Sequence, residues 1–220
     1  FIGWMVPNPQ ETYPWRGQMC IPRDLSLKET KEGLRLLQKP AALIRNNLDV
    51  LSQHRIAEIK NLKINNQETN MDKQHKIPAN AYWLTAEFVV KSGTAAGFKI
   101  AQEKNRDNQV TVETVIGYDK VNHRLYVDRT RAGNAKGMNQ DRLLQTIDLP
   151  DAGDGIRLDI LLDKSSLEVF VNDGEKVLTT YIFPGADANA ISAFSTGGNA
   201  IFKSVKIWQA LLHPRLLQPT

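Results

Sequence analysis

The strongest constraint on the fold is a two-residue rhythm in the later part of the chain. Ile156, Leu158, Ile160 and Leu162 alternate with Arg157, Asp159, Leu161 and Asp163. Leu167, Val169 and Val171 alternate with Glu168 and Phe170, and Ile201, Val205 and Ile207 read as one face opposite Phe202, Ser204, Lys206 and Trp208. A period of two places alternate side chains on opposite faces of a strand. Turn-forming clusters separate these runs: Ser92-Gly93, Asn105 to Asn108, Ala152 to Gly155, Asn172-Asp173-Gly174 and Thr196 to Asn199. Asp-Gly between two β-rich runs signals a hairpin, because both residues tolerate the positive φ of a tight turn. Many short strands punctuated in this way predict a β-sandwich over residues 79–211, with a turn at Asn172 to Gly174.

The earlier part reads differently. Residues 1–27 suggest two short strands joined by Pro7-Asn8-Pro9-Gln10-Glu11-Thr12-Tyr13-Pro14, where three prolines exclude helix. Residues 28–78 are expected to form a linker with a short helix and the first sandwich strand. Leu43, Ile44, Leu48 and Leu51 place that helix at Pro40 to Gln53, and Asn66 to His75 reads as an exposed polar loop. Residues 212–220 form a leucine- and proline-containing tail expected to dock on the sandwich.

Composition excludes several functions. The 220 residues suffice for a sizeable core without disulfides or metal. The single Cys20 permits no internal disulfide and reads as a small buried hydrophobe. His54, His75, His123 and His213 are dispersed without cysteine partners, so no metal site is expected, and no cofactor. A net charge of +4 is spread among acids, which argues against nucleic acid as a partner. No apolar run approaches the roughly 20 residues that span a bilayer, so no membrane is expected. Location cannot be read from the N-terminus, which lacks signal-peptide character. Glu168, Asp159 and Asp163 are expected to face solvent from their strands rather than to form a catalytic group. There is no phosphate-binding glycine loop ahead of a helix and no G-x-S-x-G elbow.

Three blocks carry a resemblance. Gly3-Trp4-Met5 followed by Pro14-Trp15-Arg16-Gly17-Gln18-Met19-Cys20-Ile21-Pro22-Arg23-Asp24-Leu25-Ser26-Leu27 is the first. Gly117-Tyr118-Asp119 with Leu125-Tyr126-Val127-Asp128-Arg129-Thr130-Arg131-Ala132-Gly133 is the second. Ser166-Leu167-Glu168-Val169-Phe170-Val171-Asn172-Asp173-Gly174-Glu175 with Thr180-Tyr181-Ile182-Phe183-Pro184 is the third. In this order they resemble the back half of glycoside hydrolase family 32, the fructan hydrolases that include levanases, inulinases and invertases.

The resemblance implies an all-β chain, an antiparallel β-sandwich preceded by a remnant of the last blade of a five-bladed β-propeller in residues 1–27. It implies that the chemistry lies upstream. The family's retaining mechanism uses two carboxylates roughly 5 Å apart, carried with a transition-state stabiliser by "NDPNG", "RDP" and "EC" motifs. None of the three occurs here: Arg23-Asp24 leads into Leu25, Arg106-Asp107 into Asn108, and Cys20 follows Met19. No catalytic residue is expected. Trp4 corresponds to an indole that lines the sugar pocket, and it is the one candidate substrate-binding residue, an indole face suiting a sugar ring. The implied partners are the N-terminal propeller, fructan or sucrose as the parent's substrate, and a second copy in a homodimer. The competing reading is an independent carbohydrate-binding, lectin-like sandwich with aromatics from Tyr82, Trp83, Tyr118, Tyr126 and Trp208.

Overall fold

The two-residue rhythm becomes strand pairing throughout the computed structural model, which describes residues 1–5, 17–30, 33–44, 55–71, 81–133, 142–150, 152 and 155–209. Strands β1 (Trp4–Met5) and β2 (Gln18–Met19) form a small ribbon, and β3 (Arg23–Thr30) and β4 (Gly33–Pro40) form a hairpin. Residue 28 lies inside β3. Then follow β5 (Arg55–Asn65), β6 (Glu68–Asn70), β7 (Ala81–Val90), β8 (Ala95–Lys104), β9 (Val110–Asp119), β10 (Arg124–Arg131), β11 (Leu144–Asp148), β12 (Gly155–Asp163), β13 (Ser166–Val171), β14 (Lys176–Tyr181), β15 (Ala190–Thr196) and β16 (Asn199–Gln209).

Two six-stranded sheets result, in the orders β11-β10-β9-β8-β15-β6 and β14-β13-β12-β7-β16-β5. Every pairing within them is antiparallel. Two meanders, β8 to β11 and β12 to β14, supply one side of each sheet, and the remaining strands close the other. The fold is thus an all-β sandwich, as the periodicity predicts. Phe98 of the first sheet meets Phe88 and Phe202 of the second, with ring centroids 6.3 and 5.3 Å away, both edge-on. Such contacts add dispersion and quadrupole attraction to the burial of apolar area. The core begins at Ala57 and contains no described residue of the first two small sheets.

Local chemistry explains the turns. Asn172, Asp173 and Gly174 have φ of 47, 62 and 86° and form a 3-10 turn between β13 and β14, with Val171 paired to Lys176. This is the expected turn, one with four residues between the paired ends.

Three expectations need correction, and others fall outside the described residues. Phe202 is fully buried in the core on the side of Val205 and Ile207, while Ile201 is only half-buried. A bulge of β16 against β7 between Phe202 and Ser204 resets the alternation, as an extra residue in one strand must. Glu68–Asn70, read as loop, is an edge strand paired with Phe194, Ala193 and Ser192; hydrogen bonding along β15 compensates for its polarity. Asp159 and Glu168, expected in solvent, are 3% and 2% exposed, whereas Asp163 is exposed. Their sheet face is outward with respect to the core, but other parts of the chain cover it. Of the predicted helix, residues 42–44 are helical and 45–53 lie outside the described residues, as do Trp15, Arg16 and the 212–220 tail.

Candidate docking interface

The three sequence blocks converge on one place, the outer face of β13 and β14. From this face Glu168 and Thr179 point outward as a cross-strand pair, and Tyr181 follows two residues along β14. The segment that covers them contains β1, β2 and the beginning of β3.

Glu168 binds this segment with both carboxylate oxygens. Oε1 accepts the Ile21 N–H at 2.7 Å, and Oε2 accepts Arg23 Nη2 at 2.7 Å. Arg23 also donates to Thr179 Oγ1 at 2.6 Å and to Gln38 Oε1 at 3.0 Å, and its guanidinium lies 5.2 Å from the Phe170 ring centroid. The side chains of Arg23 and Glu168 are 8% and 3% exposed, so this ion pair is buried. Burial makes the partnership obligatory, since a lone charge there would be strongly destabilising.

Tyr181 makes the second attachment. Its hydroxyl donates to the Met5 carbonyl at 2.9 Å and accepts the Gln18 N–H at 3.1 Å. Its ring stacks on Phe183 with centroids 5.9 Å apart and packs with Met5 and Cys20 in an apolar cluster separate from the sandwich core. Burial raises the Tyr181 phenol above its ordinary range, against the opposing Gln18 hydrogen bond, so it remains a donor at neutral pH. Cys20 is buried as expected; its Sγ accepts the Gly3 N–H at 3.0 Å, and its own N–H donates to the Gly3 carbonyl at 2.8 Å.

The middle block holds this end of β14 in place. Arg129 Nη1 donates to the Tyr181 carbonyl at 2.8 Å, and the Phe183 N–H donates to the Ala132 carbonyl at 3.1 Å. Gly133 has φ of 97° and bridges to Phe183; a β-carbon there would overlap the Phe183 carbonyl. Glycine is required on both counts. The hairpin is seated by similar means. The turn residue Gly174 abuts the Gln38 backbone so closely that any side chain would overlap it. Lys28 pairs with Glu175 at 2.9 Å, and Asp24 accepts the Ala42 N–H at 2.8 Å at the start of the short helical turn. Between hairpin and sandwich lies an open cleft of 540 Å³ whose floor includes Leu37 and Ile156.

Large apolar side chains of the same segment are left exposed. Eleven large apolar side chains are exposed among the described residues, and eight fall within residues 1–36: Phe1, Ile2, Trp4, Met19, Leu25, Leu27, Leu34 and Leu36. Register puts Trp4 beside Met19, and Leu27 beside Leu36 with Leu25 and Leu34 on the same face. Trp4 itself is 62% exposed. Exposed apolar side chains concentrated in one segment mark an interaction site.

Other candidates give no comparable arrangement. Tyr82, Trp83, Tyr118 and Trp208 are between 0% and 8% exposed; only Tyr126, half-buried across Gly117, keeps surface among the five aromatics. Burial, then the Asp119 and Asp128 charges, push its phenol up to about 12. A polar cluster on the first sheet satisfies itself: Lys99 binds Glu68 at 2.6 Å, Gln102 donates to Glu68 and Glu113, and Ser192 donates to Gln102. Nothing local in the sequence reveals the Arg23–Glu168 pair. A single charge in the all-apolar surroundings Leu167, Val169 and Phe170 was the available sign.

Residues 50–209 match the family described as "Glycosyl hydrolases family 32 C terminal". The levanase of Bacillus subtilis (strain 168) is 34% identical over 216 residues, covering 94% of this chain and 30% of that protein. The extracellular exo-inulinase of Aspergillus awamori is 30% identical over 228 residues, covering 94% of this chain and 39% of that protein. The crystal structure of an exo-inulinase from Aspergillus awamori superposes with a TM-score of 0.79 at 27% identity, again over 94% of this chain and 39% of the other. The chain therefore spans between 30% and 39% of the length of these relatives.

Proposed function

Because this chain belongs to the family of glycosyl hydrolase family 32 C-terminal domains, we propose that it is the non-catalytic sandwich of a fructan hydrolase and holds the last strands of a catalytic β-propeller in position. Residues 1–27 belong to the propeller in this reading. The substrate of the whole enzyme is fructan or sucrose, and Trp4 contributes an indole face to the sugar pocket. The observation that carries the proposal is the mixed character of the N-terminal segment. It is tied to the sandwich by Glu168 and Tyr181, yet Trp4, Met19 and the leucines of the hairpin remain exposed. An apolar surface mounted on a rigid scaffold suits a large apolar partner better than a small polar ligand. The near-complete burial of Tyr82, Trp83, Tyr118 and Trp208 weighs against a lectin-like module.

The test is complementation. This chain, alone, is expected to release no reducing sugar from sucrose, inulin or levan. Joined behind the N-terminal part of the Bacillus subtilis levanase, in place of that enzyme's own matching segment, it is expected to support levan hydrolysis. Leu27→Ser with Leu36→Ser should lower the yield of folded fusion. Activity of the isolated chain, or a folded fusion that leaves levan intact, defeats the reading; a second copy covering the apolar face would appear instead as a homodimer in sedimentation.

A further inference from the structure

Trp4 is held from both sides along its backbone. Strands of two residues are far too short to be stable by their own pairing, so something outside must fix the ribbon of β1 and β2. On the Gly3 side the fixing is internal, through the Cys20 N–H and thiol. On the Met5 side it comes from the sandwich, where the Tyr181 hydroxyl bridges Met5 and Gln18, the two residues that face each other across the ribbon. Successive strand residues point to opposite faces. Anchoring Met5, 8% exposed, against Tyr181 therefore directs Trp4, 62% exposed, away from the sandwich. Tyr181 is itself immobilised by pairing with Ser166, by the Phe183 stack and by Arg129 on its carbonyl.

We propose that Tyr181 is a positioning residue for substrate. Its hydroxyl, through Met5 and Gln18, sets where the Trp4 indole stands and so how tightly the enzyme holds a fructosyl unit. This rests on the reading of Trp4 given above. It assigns the sandwich a part in substrate affinity that requires none of its own side chains to touch sugar. The position of Trp4 is transmitted through main-chain hydrogen bonds, which act on the backbone whatever side chains the ribbon bears.

Tyr181→Phe removes the hydroxyl and keeps the ring in its stack, so the variant is expected to fold. In the isolated chain, amide exchange at Gln18 should accelerate about tenfold or more, since a protecting bond is lost from a marginal element, while amides in β7 and β16 keep their rates. In the levanase fusion, the same change should raise KM for levan about three- to tenfold with kcat within about twofold, because a misplaced contact weakens binding without altering the reacting groups. Trp4→Ala should raise KM at least as much, and adding Tyr181→Phe to it should have little further effect. If Trp4→Ala raises KM but Tyr181→Phe leaves KM or Gln18 exchange unchanged, the positioning role is refuted and the reading of Trp4 survives. If Trp4→Ala leaves KM unchanged, the sugar contact itself is refuted, and the inference with it. A Tyr181→Phe fusion whose kcat falls as steeply as its affinity for levan would show general loosening instead of positioning.

Discussion

A carboxylate at 2% exposure must have its charge answered, and Glu168 has it answered by Arg23, with Ile21 and Thr179 completing the surroundings. The pair joins residues 145 positions apart, so each side chain is essential to the other while neither reveals its partner locally. Removing one partner of a buried pair typically costs about 3–5 kcal/mol, whereas replacing both with apolar groups of similar volume is close to neutral. Glu168→Ala is accordingly expected to lower the urea midpoint of the chain strongly, by an amount equivalent to about 3 kcal/mol. Arg23→Met combined with Glu168→Leu should recover most of that loss. If the double variant is as unstable as the single one, the pair owes its importance to something other than desolvated charge.

The β3–β4 hairpin shows how an element can be secured by shape. Register gives it one face with Leu25, Leu27, Leu34 and Leu36 and another with Ser26 and the buried Leu37. It stays against the sandwich because the Asn172–Gly174 turn presents a backbone without a side chain to the backbone of Gln38. Gly174 combines positive φ with this close approach. Gly174→Ala is therefore expected to displace the hairpin, at a cost of about 1–3 kcal/mol for strained backbone of this type. Hydrogen exchange checks it: amides of β3 and β4 should lose protection while those of β12 and β13 keep theirs. Uniform loss across all four strands would mean that the turn serves the sandwich core and not the hairpin.

At the scale of the whole molecule, the described residues form two apolar clusters of unequal size. The large one lies between the sheets and begins at Ala57; the small one joins Met5, Cys20 and Tyr181. Deleting residues 1–40 removes nothing from the large cluster, so the sandwich should fold alone with a cooperative thermal transition shifted by only a few degrees. It should also stay monomeric more readily, having lost most of the exposed apolar side chains. Failure of the shortened chain to fold would show that the N-terminal segment completes the sandwich. The same division fits the proposed docking role. A scaffold that is stable on its own can hold out a segment whose other face is left for a partner.

The alternation of residues such as Ile156 to Asp163 and the Asp-Gly turn determined a β-sandwich without reference to any contact, because pleat and turn chemistry act over a few residues. The three blocks likewise carried the family, and with that resemblance Trp4 as the candidate sugar-contacting residue. What tertiary structure alone decided is where the faces of those strands end up. Period two separates the sides of Ser166–Val171, but it cannot say that the outward side, with Glu168, is covered by Ile21 and Arg23 from the opposite end of the chain. Nor does it foresee the bulge that returns Phe202 to the core, or the pairing that makes a strand of Glu68–Asn70. Those outcomes depend on neighbours more than a hundred residues away, whose contribution enters only when the chain is closed upon itself.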